Sequence, residues 1–206
     1  MMKKAGKIII SVIIVVCALF NTFCASAATV EYKLDQSSAP EINADAAILV
    51  NVNTDEILYE KNSAVPVYPA SSVKIMTAIL ALEHISDLDN TVITASSEAV
   101  RSTLGNNIAI KEGEEFTARQ LLYALLVGTA NDAANVLAMH IGGSISGFVD
   151  MMNSKAIELG ADNTTYTNPT GMHDQQMKTT AYDTSLIARY ACCNSTLVEI
   201  ASTQSY

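Results

Sequence analysis

The sequence predicts an α+β domain, an antiparallel sheet packed by helices, with a cleft between the sheet and the helical part. Three observations carry this expectation. Residues 46–52 and 57–60 are strand-like runs separated by the turn Asn53-Thr54-Asp55-Glu56, which makes a hairpin. Residues 73–82 are apolar almost all round at helical length, the mark of a buried helix. Three further helical runs end at glycine, at Gly128, at Gly142-Gly143 and at Gly160.

Along the chain, Lys3, Lys4 and Lys7 precede the apolar residues 8–20, and Ala25-Ser26-Ala27 offers the small residues a signal peptidase accepts. That apolar core has 13 residues, short of the roughly 20 that a spanning helix needs. Residues 1–28 therefore read as a secretory signal peptide and residues 29–206 as one domain, located outside the cytoplasmic membrane. Of the net charge of −9, the three leader lysines contribute +3, so residues 29–206 carry nine basic against twenty-one acidic residues, a net of −12. Such a balance argues against nucleic acid or an anionic membrane surface as a partner. Cys17 and Cys24 lie in the leader, and neither follows the small residue that lipoprotein processing wants. Cys192 and Cys193 are adjacent in an apolar segment, where a mutual disulfide is badly strained, so both are expected to be small core residues.

Residues 29–43 form a polar, extended lead-in. Two strands alone are marginally stable, so the hairpin is expected at the edge of a larger sheet. Residues 86–90, acidic and polar, end the central helix. Residues 91–113 show no clear period and contain Gly105-Asn106-Asn107; a connection that long inside a compact domain is often functional. Helices are expected over residues 117–127, closed by Gly128, and over 132–141, 145–159 and 180–194. Residues 163–171 are turn-rich, and residues 197–206 read as the approach to something extended.

The chemistry begins at the central helix. Lys74 is the only charge in its first three turns, and burial favours the neutral amine, which can then act as a base. Ser71 lies three residues earlier on the same face, and the helix N-terminus disfavours an ammonium and favours an alkoxide. A plainer reading stands beside this one: Ser71 or Ser72 as a helix cap, with the Lys74 amine reaching out to water. At the junction before residue 132, Thr129 and Asn131 offer a hydroxyl to relay a proton and a carboxamide to hold a substrate amide. Thr129-x-x-Asp132 equally fits a helix capping box.

Several blocks in order carry a family resemblance: Pro69-Ala70-Ser71-x-x-Lys74, the hairpin before it, and residues 121–127 followed by Thr129-Ala130-Asn131-Asp132. Residues 152–160, Asn168-Pro169-x-Gly171 and Thr180-Ala181-Tyr182-Asp183 complete the set. Together they resemble the serine-type D-alanyl-D-alanine carboxypeptidases, the low-molecular-weight penicillin-binding proteins, over roughly residues 45–206. The resemblance implies the β-lactamase/DD-peptidase-like fold with a helical subdomain. It makes Ser71 the nucleophile, Lys74 its base, and Thr129 and Asn131 the second motif, with threonine in place of the usual serine. It implies cleavage of the terminal D-alanine from peptidoglycan stem peptides through an acyl-enzyme, with β-lactams as covalent inhibitors and no cofactor.

The third family motif, Lys-Thr-Gly on a strand, is not found. Lys178-Thr179-Thr180 is rejected because it leads into a helix. The resemblance places the motif beyond Tyr206, so the chain is expected to be cut short at its C-terminus, with the last strands missing. The Ser71 N–H is then the one nameable oxyanion donor, and membrane attachment is possible only through an unseen C-terminal tail. A serine β-lactamase shares the first motif but is weakened by Thr129-Ala130-Asn131. A catalytically silent wall-binding domain is weakened by the intact Ser71 and Lys74. A Ser-His-Asp hydrolase finds no Gly-x-Ser-x-Gly partner for His84, His140 or His173, and no metal-ligand spacing emerges.

Overall fold

The computed structural model describes residues 39–206; the signal-peptide reading and most of the lead-in lie outside the described residues. Strands β1 (Ala47–Val50) and β2 (Ile57–Lys61) form the expected antiparallel hairpin, in register Ala47↔Lys61 to Val50↔Ile57 with an irregularity after Leu49. Asp55 turns the chain at φ 62°. Among the described residues this sheet has two strands.

Helix α1 (Val73–His84) follows a 3₁₀ turn over Ala70–Ser72. It is buried nearly all round, as its sequence demands: Val73, Met76, Ala78 and Ala81 are fully covered, and Ile79 and Leu80 almost so. Burying a side chain the size of Leu80 or Met76 stabilises by about 1.5–3 kcal/mol. Core packing therefore fixes α1, and most of the other helices pack against it.

A second small antiparallel sheet pairs β3 (Val92–Thr94) with β4 (Glu115–Thr117), Val92 opposite Thr117. Helix α2 (Ser97–Arg101) lies between them in sequence. The sequence gives no warning of these elements, because three-residue strands and a five-residue helix are too short to show a period. Helix α3 (Ala118–Leu126) starts with a capping box between Thr117 and Gln120. Helix α4 (Asn131–Gly142) ends on Gly143 at φ 70°, the left-handed turn that glycine permits. Helix α5 (Ile145–Glu158) packs so closely on α4 that a Cβ at Gly142 would collide with Phe148. Helix α6 (Ala181–Cys192) packs against α1 and β1.

Two expectations fail here. Residues 195–201 form helix α7 (Ser195–Ala201) instead of leading into an extended segment. Asn194 caps it by accepting the Leu197 N–H, and Leu197 and Ile200, three apart, bury one face. Cys192 and Cys193 are exposed free thiols, not core residues. The buried stripe of α6 runs through Asp183, Ile187 and Ala191, at steps of four, and positions 192 and 193 fall off it.

One ion cluster, with a buried lysine and exposed partners, ties three helices together. The Lys155 amine on α5 lies 2.7 Å from a Glu83 carboxylate oxygen on α1 and 2.8 Å from one of Glu158. The Tyr190 hydroxyl on α6 donates to Glu83 at 2.5 Å. Burial alone lowers the Lys155 pKa, but its hydrogen bonds to Glu158 and Glu83 outweigh that and raise it.

Candidate active site

Ser71 sits on the 3₁₀ turn that feeds α1, and it is exposed. The turn is entered through Ala70 at φ 48°, a left-handed conformation uncommon for a residue with a side chain. What holds it there is the 168–172 loop. Gly171, at φ 83°, approaches so closely that a Cβ on it would collide with the Ala70 carbonyl.

Lys74 is 3% exposed, so its amine does not reach out to water. Its Nζ donates to the Thr170 carbonyl at 2.6 Å and lies 3.4 Å from Ser71 Oγ. Burial lowers its pKa from the ordinary lysine value, and no ion pair to it forms among the described residues. The helix-cap reading of this stretch also fails. The α1 cap position, Ser72, makes no side-chain cap bond and instead donates its hydroxyl to the Pro69 carbonyl at 2.7 Å. A buried amine whose pKa is lowered and which lies beside a serine hydroxyl has the arrangement a base needs next to a nucleophile.

The second pair lies at the start of α4. Gly128 was expected to close α3, but the residue in the left-handed conformation is Thr129, at φ 49°. For a β-branched residue that is an outlier, and such strain gathers at functional sites. Gly128 has a different reason to be glycine: a Cβ there would lie 2.8 Å from the Ala124 carbonyl oxygen. Thr129 is not a helix cap, because the cap position is Ala130 and no side chain caps it. Its hydroxyl accepts from Asn106 Nδ2 at 3.0 Å, and the same Nδ2 lies 2.8 Å from the Gly128 carbonyl. Asp132 serves the neighbouring loop instead, accepting the Ile108 and Ile110 N–H groups.

Asn131 is 4% exposed. Its backbone N–H donates to the Asn106 carbonyl at 2.8 Å and its Nδ2 to the Leu104 carbonyl at 2.6 Å. Its Oδ1 is buried with no hydrogen-bond partner, an acceptor left open at a cost of about 1–3 kcal/mol. The two pairs meet through Gly105, where a Cβ would lie 3.0 Å from both Asn131 Nδ2 and Met172 Sδ. Met172 belongs to the loop that touches Ala70 and Lys74. Ser71 and Lys74 are thus in direct contact, Asn131 stands one loop away, and the Thr129 hydroxyl is engaged by Asn106.

The supporting residues carry no local signal of their task in the sequence. Asn106 was visible only as a turn former in an overlong connection. Thr170 and Asn168 lay in a recognised block without an assigned task. A groove of about 620 Å³ runs between β1 and α6, lined by Leu49, Pro69, Ser72, Ala181 and Ala188 among others; Ser71 and Lys74 do not line it.

The sequence profile of D-alanyl-D-alanine carboxypeptidases, peptidase S11, matches residues 33–205. The chain belongs to that family. A carboxypeptidase of this name from Bacillus subtilis, DacF, is 38% identical over 151 residues, covering 71% of this chain and 38% of its own length. A second, from Mycobacterium tuberculosis, is 34% identical over 168 residues, covering 81% of this chain and 56% of its own. The fold agrees with the crystal structure of the D-alanyl-D-alanine carboxypeptidase DacD from Francisella tularensis at a TM-score of 0.74 and 35% identity, over 79% of this chain and 40% of that one. The expected DD-peptidase-like fold is therefore present. This S11 chain spans between about two fifths and three fifths of the length of these relatives.

Proposed function

We propose that the protein is a serine-type D-alanyl-D-alanine carboxypeptidase acting on peptidoglycan stem peptides outside the cytoplasmic membrane, with residues 1–28 as its signal peptide and residues 29–206 belonging to its catalytic domain. The observation that carries the reading is the Lys74 amine, 3% exposed, 3.4 Å from Ser71 Oγ and anchored by the Thr170 carbonyl. Ser71 Oγ attacks the carbonyl carbon between the two D-alanines while Lys74 Nζ takes the hydroxyl proton. The tetrahedral oxyanion meets the Ser71 N–H. Collapse breaks the C–N bond, the proton passes to the leaving amine with the Thr129 hydroxyl as relay, and an ester to Ser71 remains. Water then attacks that ester and restores the serine. Asn131, at the start of α4, is the carboxamide assigned to orienting the substrate amide. β-Lactams form the corresponding ester and hydrolyse slowly.

A fluorescent penicillin labels the full-length protein covalently at Ser71, read by mass spectrometry of the labelled peptide. Equal labelling of the Ser71→Ala variant would remove Ser71 as the nucleophile.

A further inference from the structure

Lys74 can serve Ser71 only while its amine is aimed, and the acceptor that aims it, the Thr170 carbonyl, lies on a loop 96 residues away in sequence. Two side chains outside the proposed catalytic set fasten that loop. The first is Thr77, on the same face of α1 as Lys74 and fully buried. A threonine hydroxyl inside a helix commonly bonds back to its own helix four residues earlier. This one instead donates across to the Pro169 carbonyl at 2.7 Å, so α1 grips two successive carbonyls, of Pro169 and Thr170, with two buried residues three apart on one face.

The second is Asn168. Its Oδ1 accepts three donors, the Thr170 N–H at 3.2 Å, the Thr170 hydroxyl at 2.8 Å and the Gly171 N–H at 2.9 Å. Its Nδ2 donates to the Met172 carbonyl at 2.9 Å. One amide thereby closes the turn on both sides of residue 170 and also fixes Gly171, which abuts Ala70. Pro169 has no N–H to contribute, and the turn is instead secured by side chains, Thr77 donating to its carbonyl and Asn168 accepting from residues 170 and 171.

We infer that Thr77 and Asn168 are positioning residues that hold the Thr170 carbonyl on Lys74 and so set the aim of the base. The inference rests on the roles of Ser71 and Lys74 proposed above. Neither residue touches the reacting atoms; both act through Thr170.

The test uses the full-length protein in single-turnover acylation by a fluorescent penicillin, separating reversible binding from the acylation rate constant. Thr77→Val keeps the shape and removes the donor. It lowers the acylation rate constant by about 10²-fold, the scale of a misplacement near 1 Å, and leaves reversible binding unchanged; Thr77→Ser restores the rate. Asn168→Ala gives the same pattern and stands in should Thr77→Val not fold. A second readout is independent of catalysis: trace acetylation of Lys74 by acetic anhydride rises in Thr77→Val and Asn168→Ala and stays at the wild-type level in Thr77→Ser. Failure of penicillin to label wild-type Ser71, with the Lys74 acetylation pattern intact, would reject the catalytic reading and keep the positioning one. Folded variants with wild-type acylation and wild-type Lys74 reactivity, differing only in melting temperature, would overturn the inference.

Discussion

Helices α1 and α4, which supply the proposed catalytic groups, start without a side-chain cap. Helices α2, α3, α5, α6 and α7 start on Ser96, Thr117, Ser144, Thr180 and Asn194, each accepting a backbone N–H from the first turn. The two uncapped starts share a second feature: each follows a non-glycine residue in the left-handed region, Ala70 at φ 48° and Thr129 at φ 49°. A cap is worth about 1 kcal/mol, and a residue with a side chain held left-handed costs of order 1–3 kcal/mol. The helix starts away from the site are built for stability. Those at the site give up stability to set the direction of Ser71, Thr129 and Asn131, and partners remote in sequence, the 168–172 loop and Asn106, hold them in place.

The comparison is tested most severely at Lys74. Lys74→Arg keeps the positive charge of the protonated state but not the base, because a guanidinium does not release its proton at usable pH. It lowers the single-turnover acylation rate by about 10²–10⁴-fold with the circular dichroism spectrum unchanged; near-normal acylation would end the role of Lys74 as base.

Position 129 separates strain from chemistry. Thr129→Ala removes the proposed relay hydroxyl and is expected to lower acylation by about 10²-fold. Thr129→Ser keeps the hydroxyl bond to Asn106 and drops the branch methyl, so acylation holds at the wild-type level or above and the melting temperature does not fall. Thr129→Gly also acylates slowly, yet melts no lower than wild type because glycine accepts the left-handed turn. Loss of stability with unchanged chemistry in Thr129→Ala would return Thr129 to a structural role.

A pH series gives a smaller effect with a definite sign. In the proposed mechanism the neutral amine is the active form, so the acylation rate of the wild type is expected to rise with pH. Burial lowers the Lys74 pKa, so the midpoint of that limb falls below the 10.5 of an ordinary lysine side chain. A midpoint at or above 10.5 would assign the limb to another group.

The control is Ser144→Ala, which removes the α5 cap bond to the Gly147 N–H. Differential scanning calorimetry should show a melting temperature lower by about 2–4 °C, with acylation per folded molecule unchanged. A change in acylation would blur the distinction between the two kinds of helix start.

Much of this was legible in the sequence where one segment decides its own structure. The hairpin, the buried α1 and the Gly143 stop follow from local pattern, and so does the proximity of Ser71 and Lys74, because a spacing of three on a helix start is itself a geometry. The left-handed Thr129 was not legible: Gly128 beside it was the natural residue for that conformation, and the constraint that decides otherwise is the close approach of Gly128 to the Ala124 carbonyl. The capping box that Thr129-x-x-Asp132 equally fits is absent, and Asp132 instead accepts the backbone N–H groups of Ile108 and Ile110. The two small strands are held by pairing across a gap of about twenty residues and leave no periodic trace. Helix α7 was misread because its burial rests on only two side chains, Leu197 and Ile200.

Gly171 contributes no reactive atom, yet its missing side chain is the space that the Ala70 carbonyl occupies. Positions 70 and 171 are therefore one constraint shared by two distant places in the chain, and their substitutions are non-additive. Any side chain at 171 pushes back the turn that presents Ser71, and once that turn has moved, a further change at position 70 has little left to disturb. In a saturation scan read out by penicillin labelling, position 171 is as intolerant as the nucleophile itself, although a survey of functional groups would pass it by.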